Sequence, residues 1–193
     1  MFDFVEGKIA EKNPAFAVVD CHGVGYHLPI SLNTFSRIPD SGIVKLFTHF
    51  VVREDAQLLY GFADKEERQL FRLLISVNGV GSATALMILS ALPPSELSGI
   101  IASGNDIALR AIKGVGPKTA QRIIIELKDK VGKVGIAAEL FPNAQNKSKE
   151  EALSALVTLG FNKQAVEKFL DKQIKENPSG LVEDLIRLGL KTL

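Results

Sequence analysis

The chain has 193 residues, 46% of them hydrophobic, which is enough to form a core and too many for an intrinsically disordered protein. Its net charge of +1 does not by itself indicate a polyanionic partner, and a single cysteine, Cys21, excludes an intramolecular disulfide and a cysteine-based zinc site. No stretch reaches the roughly 20 apolar residues of a membrane-spanning helix, and the first residues lack the features of a signal peptide. We therefore expect a cytoplasmic, soluble protein without membrane contacts.

Residues 1–62 show the alternation of apolar and polar side chains that is typical of short β-strands. The clearest runs are 24–30, 44–52 and 58–62, and turn-forming residues separate them. Five or so strands in about 60 residues predict a small closed barrel, for which the oligonucleotide-binding (OB) fold is the leading candidate.

The hydrophobic period changes to that of a helix after Asp64, which is predicted to form an N-cap and, with Glu67, a capping box. The same periodicity continues through the middle of the chain. Further helices are predicted over 82–91, 94–102, 106–112 and 117–131.

Residues 139–147 lose all periodicity and are predicted to form a flexible linker. Asn162 and Ser179 are expected to cap helices beyond it, and Gly160 and Gly189 are expected to end them. These last helices are predicted over 149–159, 163–173 and 180–188. The complete prediction is an α+β chain with a barrel over 1–63, an all-α domain over 64–138, the linker over 139–147 and a three-helix domain over 148–193.

An internal repeat lies in the central helical region. Residues 77–85 align with residues 112–120 at an offset of 35, and each copy places Gly-Val-Gly between two predicted helices. Two glycines separated by one residue allow a tight turn with positive φ and close approach of a ligand, while the valine packs inward. The second helix begins at once, so its free N–H groups and positive dipole end face outward and form an anion site that a phosphodiester fits.

The second copy adds positive charge to this anion site. Pro117 suits the first helical position, and Lys118 and Arg122 follow four residues apart on one helix face. The surrounding residues 105–133 carry seven basic and three acidic side chains, a local basic patch of the kind found in nucleic-acid-binding proteins. Because backbone amides contact phosphates and not base edges, we expect DNA binding without sequence preference. The expected DNA-binding residues are Gly79, Val80, Gly81, Ser82, Gly114, Val115, Gly116, Pro117, Lys118, Thr119 and Arg122.

Other interpretations of the repeat compete with DNA binding. Either copy taken alone is more simply a glycine-rich turn between two core helices, and it is the duplication that favours DNA. A nucleotide-binding P-loop fits poorly, because Lys118 and Thr119 follow a proline and Ile112 occupies the place of the first glycine.

The repeat resembles the helix-hairpin-helix motif of DNA repair and recombination proteins. Together with its flanking segments it resembles one family, the bacterial Holliday-junction proteins of the RuvA type. The segments that carry this resemblance are Val51 to Phe62, Asn78 to Gly81, Gly116 to Arg122 and Glu126 to Lys130. The order of parts also matches over essentially the whole chain: an OB-fold barrel, a double helix-hairpin-helix domain, a linker and a small three-helix (UBA-like) domain.

The resemblance implies a non-catalytic subunit, without cofactor or metal, that binds four-way DNA junctions during recombination, DNA repair and the SOS response to DNA damage. It implies a homotetramer, or an octamer, and two partners: a RuvB-type ring ATPase that drives branch migration and a RuvC-type junction nuclease. Glu54 and Asp55 would form an acidic pin that separates strands, whereas without the resemblance they are a solvated turn. Leu156, Leu159 and Phe161 would contact the motor, although such residues are by default core residues.

The sequence departs from the family pattern at both hairpins. Ser82 and Ala83 follow the first Gly-Val-Gly, where Pro-Lys is common, so this hairpin is expected to bind through backbone amides alone. Lys113 precedes the second hairpin, where proline is usual, and adds a charge. Two alternative functions stay open: a structure-specific nuclease or glycosylase that carries the same hairpins, and a general DNA-scaffolding module. The sequence shows no cluster of His, Asp and Glu of the kind that metal-dependent nucleases use.

Overall fold

The computed structural model describes residues 2–135, 144–176 and 181–192. The chain forms two compact units, Met1–Ala138 and Glu139–Leu193. The first unit combines a β-sheet with helices, and the described part of the second unit is helical, which confirms the α+β class.

One antiparallel sheet forms the start of the first unit, with the strand order β3-β2-β1-β4-β5. Its strands are β1 (Phe4–Lys12), β2 (Phe16–Cys21), β3 (Val24–Pro29), β4 (Ile43–Val52) and β5 (Gln57–Phe62). The sheet curls until its two end strands approach at Gly61, where a Cβ atom would lie only 3.2 Å from Cβ of Leu28. No backbone ladder joins β3 to β5 in the part of the chain that the structure describes, so the OB-type sheet is a curled half-barrel and lacks the hydrogen-bonded closure that the sequence predicted.

Helices form the rest of the first unit. Their bounds are α1 (Leu32–Arg37), α2 (Lys65–Ile75), α3 (Ser82–Ala91), α4 (Pro94–Ser103), α5 (Asp106–Arg110) and α6 (Pro117–Gly135). The sequence did not indicate α1, which is short and lies between β3 and β4. Of the described helices, none is by itself long and apolar enough to span a membrane; α3 and α4, bent by 102°, meet the length and composition test only as a pair.

The start of α2 agrees with one half of the predicted capping box. Asp64 caps the helix, because its carboxylate accepts the Glu67 backbone N–H at 2.7 Å. The Glu67 side chain, however, does not complete the box by accepting the Asp64 backbone N–H. It is fully buried and accepts hydrogen bonds from the Ser31 hydroxyl and, at 2.6 Å, from the Thr34 hydroxyl. Burial raises the pKa of Glu67, and the hydrogen bonds from Ser31 and Thr34 oppose part of that rise.

Aromatic side chains join the sheet to the helices. The ring of Phe71 in α2 packs against Tyr60 and Phe62 of β5, with centroid separations of 5.0 and 4.9 Å. All three belong to one hydrophobic cluster that extends into α3, α4 and α6. The end of the sheet therefore shares part of its core with the helices, while the other strands keep a hydrophobic cluster of their own.

The second unit contains three described helices, α7 (Ala144–Thr158), α8 (Lys163–Glu176) and α9 (Val182–Thr192). Residues 144–147 of the predicted linker are thus helical, and residues 139–143 lie outside the described part of the chain. Its buried core consists of Ala152, Leu156, Val166, Leu170 and Leu185.

The predicted helix ends of the second unit are partly confirmed. Asn162 caps α8 by accepting the Gln164 N–H at 3.0 Å, and Gly160 follows α7 with φ +100°. Gly189 does not end a helix, since α9 continues to Thr192. A Cβ atom at Gly189 would lie 2.7 Å from Leu156 Cδ1, so this glycine lets α9 pack closely on α7. Ser179 lies outside the described residues.

Glu67 makes stability depend on pH. Its pKa is higher in the folded protein than its ordinary 4.5, so the folded state binds more protons between these two values. Its contribution to the free energy of unfolding is therefore fully present below pH 4.5 and is lost as pH rises through the raised pKa. We expect the stability of Glu67→Gln, relative to the unchanged protein, to increase with pH across this window, measured by urea unfolding at several pH values.

The matched control for this experiment is Glu66→Gln, which removes the same charge from an exposed neighbour on α2. Its free energy of unfolding should change with pH in the same way as that of the unchanged protein. If the free energy of unfolding of Glu67→Gln also changed with pH as in the unchanged protein, the buried carboxylate would not be the source of the pH dependence.

Candidate nucleic-acid interface

The two Gly-Val-Gly segments form hairpins with matching backbones, one between α2 and α3 and the other between α5 and α6. Gly79 has φ +90° and Gly114 has φ +87°, the left-handed region that favours glycine. In each hairpin the valine N–H donates to the carbonyl three residues earlier, over 3.0 Å from Val80 and 3.1 Å from Val115. The repeat at an offset of 35 is therefore a repeat of structure as well as of sequence.

The second glycine of each hairpin has a different role from the first. Gly81 caps α3 with φ −80° and ψ 166°, and its carbonyl accepts the Ala85 N–H at 2.9 Å. Gly116 precedes α6 and accepts from Ala120 at the same distance. The positive φ that the sequence indicated for each turn thus belongs to the first glycine of the pair. A Cβ atom at Gly81 or Gly116 would meet no atom within 4 Å, so what glycine provides here is open space.

The hairpins present backbone N–H groups at the surface. Val80 and Val115 are buried, as predicted, so they contribute only backbone atoms to an outer surface. Gly81 is exposed and α3 has no side-chain cap, which leaves its first N–H groups available to an external acceptor. These N–H groups and the helix dipole attract an anion. Gly116 is likewise exposed before α6, but Pro117 has no N–H, so only the N–H groups after it can bind an acceptor there.

The two hairpins are neighbours. Arg122 of α6 donates from Nη1 to the Asn78 carbonyl at 3.4 Å and lies 3.9 Å from the Cβ position of Gly79. Met87 of α3, which occupies the matching place 35 residues earlier, lies 3.9 Å from the Cβ position of Gly114. Each turn thus contacts the second helix of the other copy. Arg122, expected to act at the second hairpin, lies beside the first.

The start of α6 carries an unpaired positive charge. Pro117 and Lys118 are exposed in its first turn, and Thr119 is half-buried. Within the described ranges no ion pair occupies the Lys118 ammonium. Lys118 is therefore placed to add charge beside an anion held by the N–H groups of this helix.

The Ser82 side chain does not face the outer surface as a DNA-binding hydroxyl would. It is buried, and its hydroxyl oxygen accepts hydrogen bonds from Arg53 Nη2 at 2.6 Å and from the Tyr60 hydroxyl at 2.9 Å. Only the backbone of Ser82 belongs to the exposed end of α3. No periodicity or motif in the sequence pointed to Arg53, apart from its place next to the predicted pin.

Glu54 and Asp55 lie where the sequence placed them, exposed at the tip of the β4–β5 hairpin. The Arg53 N–H closes this turn by donating to the Ala56 carbonyl at 2.8 Å. In residues 2–135, 144–176 and 181–192 no group of three or more His, Cys, Asp or Glu side chains is arranged to hold a metal ion.

The three residues of the second unit that were expected to contact a motor differ in exposure. Leu156 is fully buried beneath Gly189, which places it in the core of this unit. Phe161 is half-buried and packs against the same core. Leu159 is 59% exposed and remains available to a partner.

Comparison with known proteins adds independent information. Three family models match the chain: the RuvA N-terminal domain over residues 1–61, a SAM-like helix-hairpin-helix tandem over 71–129 and the RuvA C-terminal domain over 148–193. A relative from Christiangramia forsetii is 50% identical and one from Flavobacterium psychrophilum 45% identical, each over 193 residues and 100% of both chains. A relative from Bacteroides fragilis is 48% identical over 201 residues, again with 100% of both chains covered. All three relatives are named Holliday junction branch migration complex subunit RuvA.

The two glycines of the second hairpin should respond differently to alanine. Gly114→Ala puts a side chain in the left-handed region and should lower the free energy of unfolding by about 1–2 kcal/mol. Gly116→Ala should leave stability unchanged, because its Cβ atom meets no neighbour, yet it should weaken anion binding by obstructing the open N–H groups. Thermal unfolding and a DNA-binding titration on both variants test this, and equal decreases in stability would contradict the assigned roles.

Proposed function

This chain belongs to the RuvA family, and from that premise we propose that it binds four-way (Holliday) DNA junctions as the non-catalytic subunit of a branch-migration complex. The observation that carries the proposal is the pair of adjacent hairpins, each with a left-handed glycine, a buried valine and an exposed helix N-terminus. Such ends bind phosphates and do not read bases. We expect the protein to act in the cytoplasm, during recombination and repair.

A four-armed DNA target suits an assembly of four identical subunits. Fourfold symmetry lets the same hairpin pair grip each arm, so we propose a homotetramer. The Glu54–Asp55 tip of each subunit would then act as an acidic pin at the centre. Carboxylates at that position repel phosphates and help to separate the strands that enter the crossover.

The second unit is proposed to bind the motor. From residue 134 onward the chain has eight basic and eight acidic residues, so this part has no net charge to attract DNA. It does expose apolar side chains: Leu159, Leu181, Leu188 and Leu190. A small, neutral helical unit with apolar surface is suited to a protein partner, and the family indicates a RuvB-type ring ATPase. On the same premise, a RuvC-type junction nuclease would join the assembled complex.

Lys118→Ala tests the proposed DNA site. Removing one phosphate interaction per subunit should weaken binding to junctions of any sequence and reduce the slope of log affinity against log salt by about 0.9 per phosphate. Lys163→Ala is the matched control, because it removes the same charge from the start of α8 in the second unit. Gel-shift titrations at several salt concentrations measure both, and an unchanged slope for Lys118→Ala would reject the phosphate interaction.

Replacing Glu54 with Gln and Asp55 with Asn tests the pin. The double variant keeps the size of the tip but removes its repulsion, so junction binding should persist or tighten while preference for junction over duplex falls. The control is the exposed pair Glu183 and Asp184 of α9, changed in the same way. Loss of junction binding by a folded pin variant would indicate a structural or metal-binding role for these carboxylates.

A chain that ends at Asn143 tests whether the first unit binds DNA and the second unit binds the motor. It should fold, form tetramers in light scattering and bind junctions, because the first unit has its own core. It should not support ATP-driven branch migration by the ring ATPase, and an isolated 144–193 fragment should compete with the full chain for that motor. Normal branch migration by the shortened chain at low motor concentration would show that the second unit is not needed to couple the motor to DNA.

A further inference from the structure

We propose that the first hairpin takes its positive charge from two arginines outside its own repeat, Arg53 of the β4–β5 turn and Arg122 of α6. This inference rests on the proposed function, because it assigns phosphate contacts within the same DNA-binding site. It replaces the expectation that the first hairpin binds through backbone amides alone.

The two hairpins differ in the charges that their own residues carry. Lys113 and Lys118 lie on either side of the second Gly-Val-Gly. At an offset of 35, the matching residues of the first copy are Asn78 and Ala83, which are both uncharged. A phosphate at the first hairpin would therefore find no cation at either of these places in the repeat, although the backbone geometry of the two hairpins is the same.

Arg122 supplies one missing charge. Its guanidinium lies against the turn of the first hairpin, where it donates to the Asn78 carbonyl at 3.4 Å. Asn78 is the residue that corresponds to Lys113, so Arg122 reaches the first hairpin at the place where the second carries its own lysine. The counterpart of Arg122 is Met87, which packs near Gly114 and brings no charge to the second hairpin.

Arg53 supplies the other charge. Its Nη2 donates to the Ser82 hydroxyl at 2.6 Å, and Ser82 is the first residue of α3. The Tyr60 hydroxyl, also donating to Ser82 at 2.9 Å, gives this serine a second fixed partner. The guanidinium is thereby held beside the end of α3 that we propose as a phosphate site. Its serine partner is next in the chain to Ala83, the counterpart of Lys118.

Ser82 and Ala83 after the first Gly-Val-Gly stand where the second copy has Pro117 and Lys118, and the two differences are related. Pro117 begins the helix of the second copy and has no hydroxyl that could accept from an arginine, and Lys118 follows it with a charge of its own. Ser82 lacks such a lysine as neighbour but provides the acceptor that positions Arg53. The charge that is missing at Ala83 is therefore supplied by Arg53 from the β4–β5 turn.

Both arginines retain free donors for a phosphate. Arg53 and Arg122 are exposed, and neither forms an ion pair with a carboxylate within the ranges that the structure describes. A guanidinium has five N–H donors, and Ser82 or Asn78 takes only one of them. The remaining donors suit bidentate binding of phosphate oxygens.

Arg53→Gln and Arg122→Gln in the full chain test the inference. Glutamine keeps a hydrogen-bond donor for Ser82 or Asn78 but removes the charge. Each variant should weaken junction binding and reduce the slope of log affinity against log salt by about 0.9 for each phosphate that the arginine neutralised. Adding Ala83→Lys to either variant should restore the slope, because the lysine occupies the place that Lys118 has in the second hairpin.

Lys45→Ala is the control. It removes a cation from β4, the strand that leads to Arg53, but this cation is already paired with Glu6 at 3.5 Å and lies over the Phe4 ring. Its salt slope should not change. An unchanged slope for both arginine variants overturns the inference, as does weakened binding that Ala83→Lys fails to restore. Lys118→Ala separates the two proposals: if it reduces the slope and the arginine variants do not, only this inference fails, whereas no effect in all three rejects the DNA site itself.

Discussion

The left-handed backbone at Gly79 and Gly114 is the constraint on which the rest of the proposed DNA-binding surface depends. A side chain at this φ would cost about 1–2 kcal/mol, and glycine avoids that cost. The turn directs the following valine into the core and starts the next helix two residues after that valine. The end of that helix, with N–H groups that lack intrahelical partners, is consequently exposed while its side is buried.

A second constraint fixes the acidic tip relative to these hairpins. Three residues of α2 join it to the N-terminal part of the chain: Glu67 accepts from Thr34 of α1, Phe71 packs on β5, and Arg68 donates to the Asp3 carboxylate at 2.6 Å. The Arg53–Ser82 hydrogen bond then ties the base of the β4–β5 turn to the start of α3. Groups that attract phosphate and groups that repel it therefore belong to one packed unit. We propose that a surface of this kind selects DNA by shape and charge.

The sequence was most informative where structure follows from local pattern. Alternation located β3, β4 and β5, the repeat located both hairpins, and Asp64 located the start of α2. Prediction failed where a side chain is used by a distant part of the chain. Glu67 has the spacing of a capping box but binds Ser31 and Thr34, and Gly189 resembles a helix stop but accommodates Leu156. The same limit applies to the site, where the exposed glycines and Lys118 could be identified because a helix N-terminus is a local feature. The contacts Arg53–Ser82 and Arg122–Asn78 join residues 29 and 44 positions apart, and no periodicity carries such information.

We propose that the protein binds phosphates at a four-way junction without reading base sequence. The most direct measurement is the equilibrium affinity of the unchanged protein for four-way junctions and for duplexes, each with several unrelated arm sequences, over a range of salt concentrations. We expect one affinity for all junction sequences, weaker binding to every duplex, and log affinity that falls linearly with log salt. Affinity that follows the arm sequence, or equal binding to junction and duplex, would contradict it.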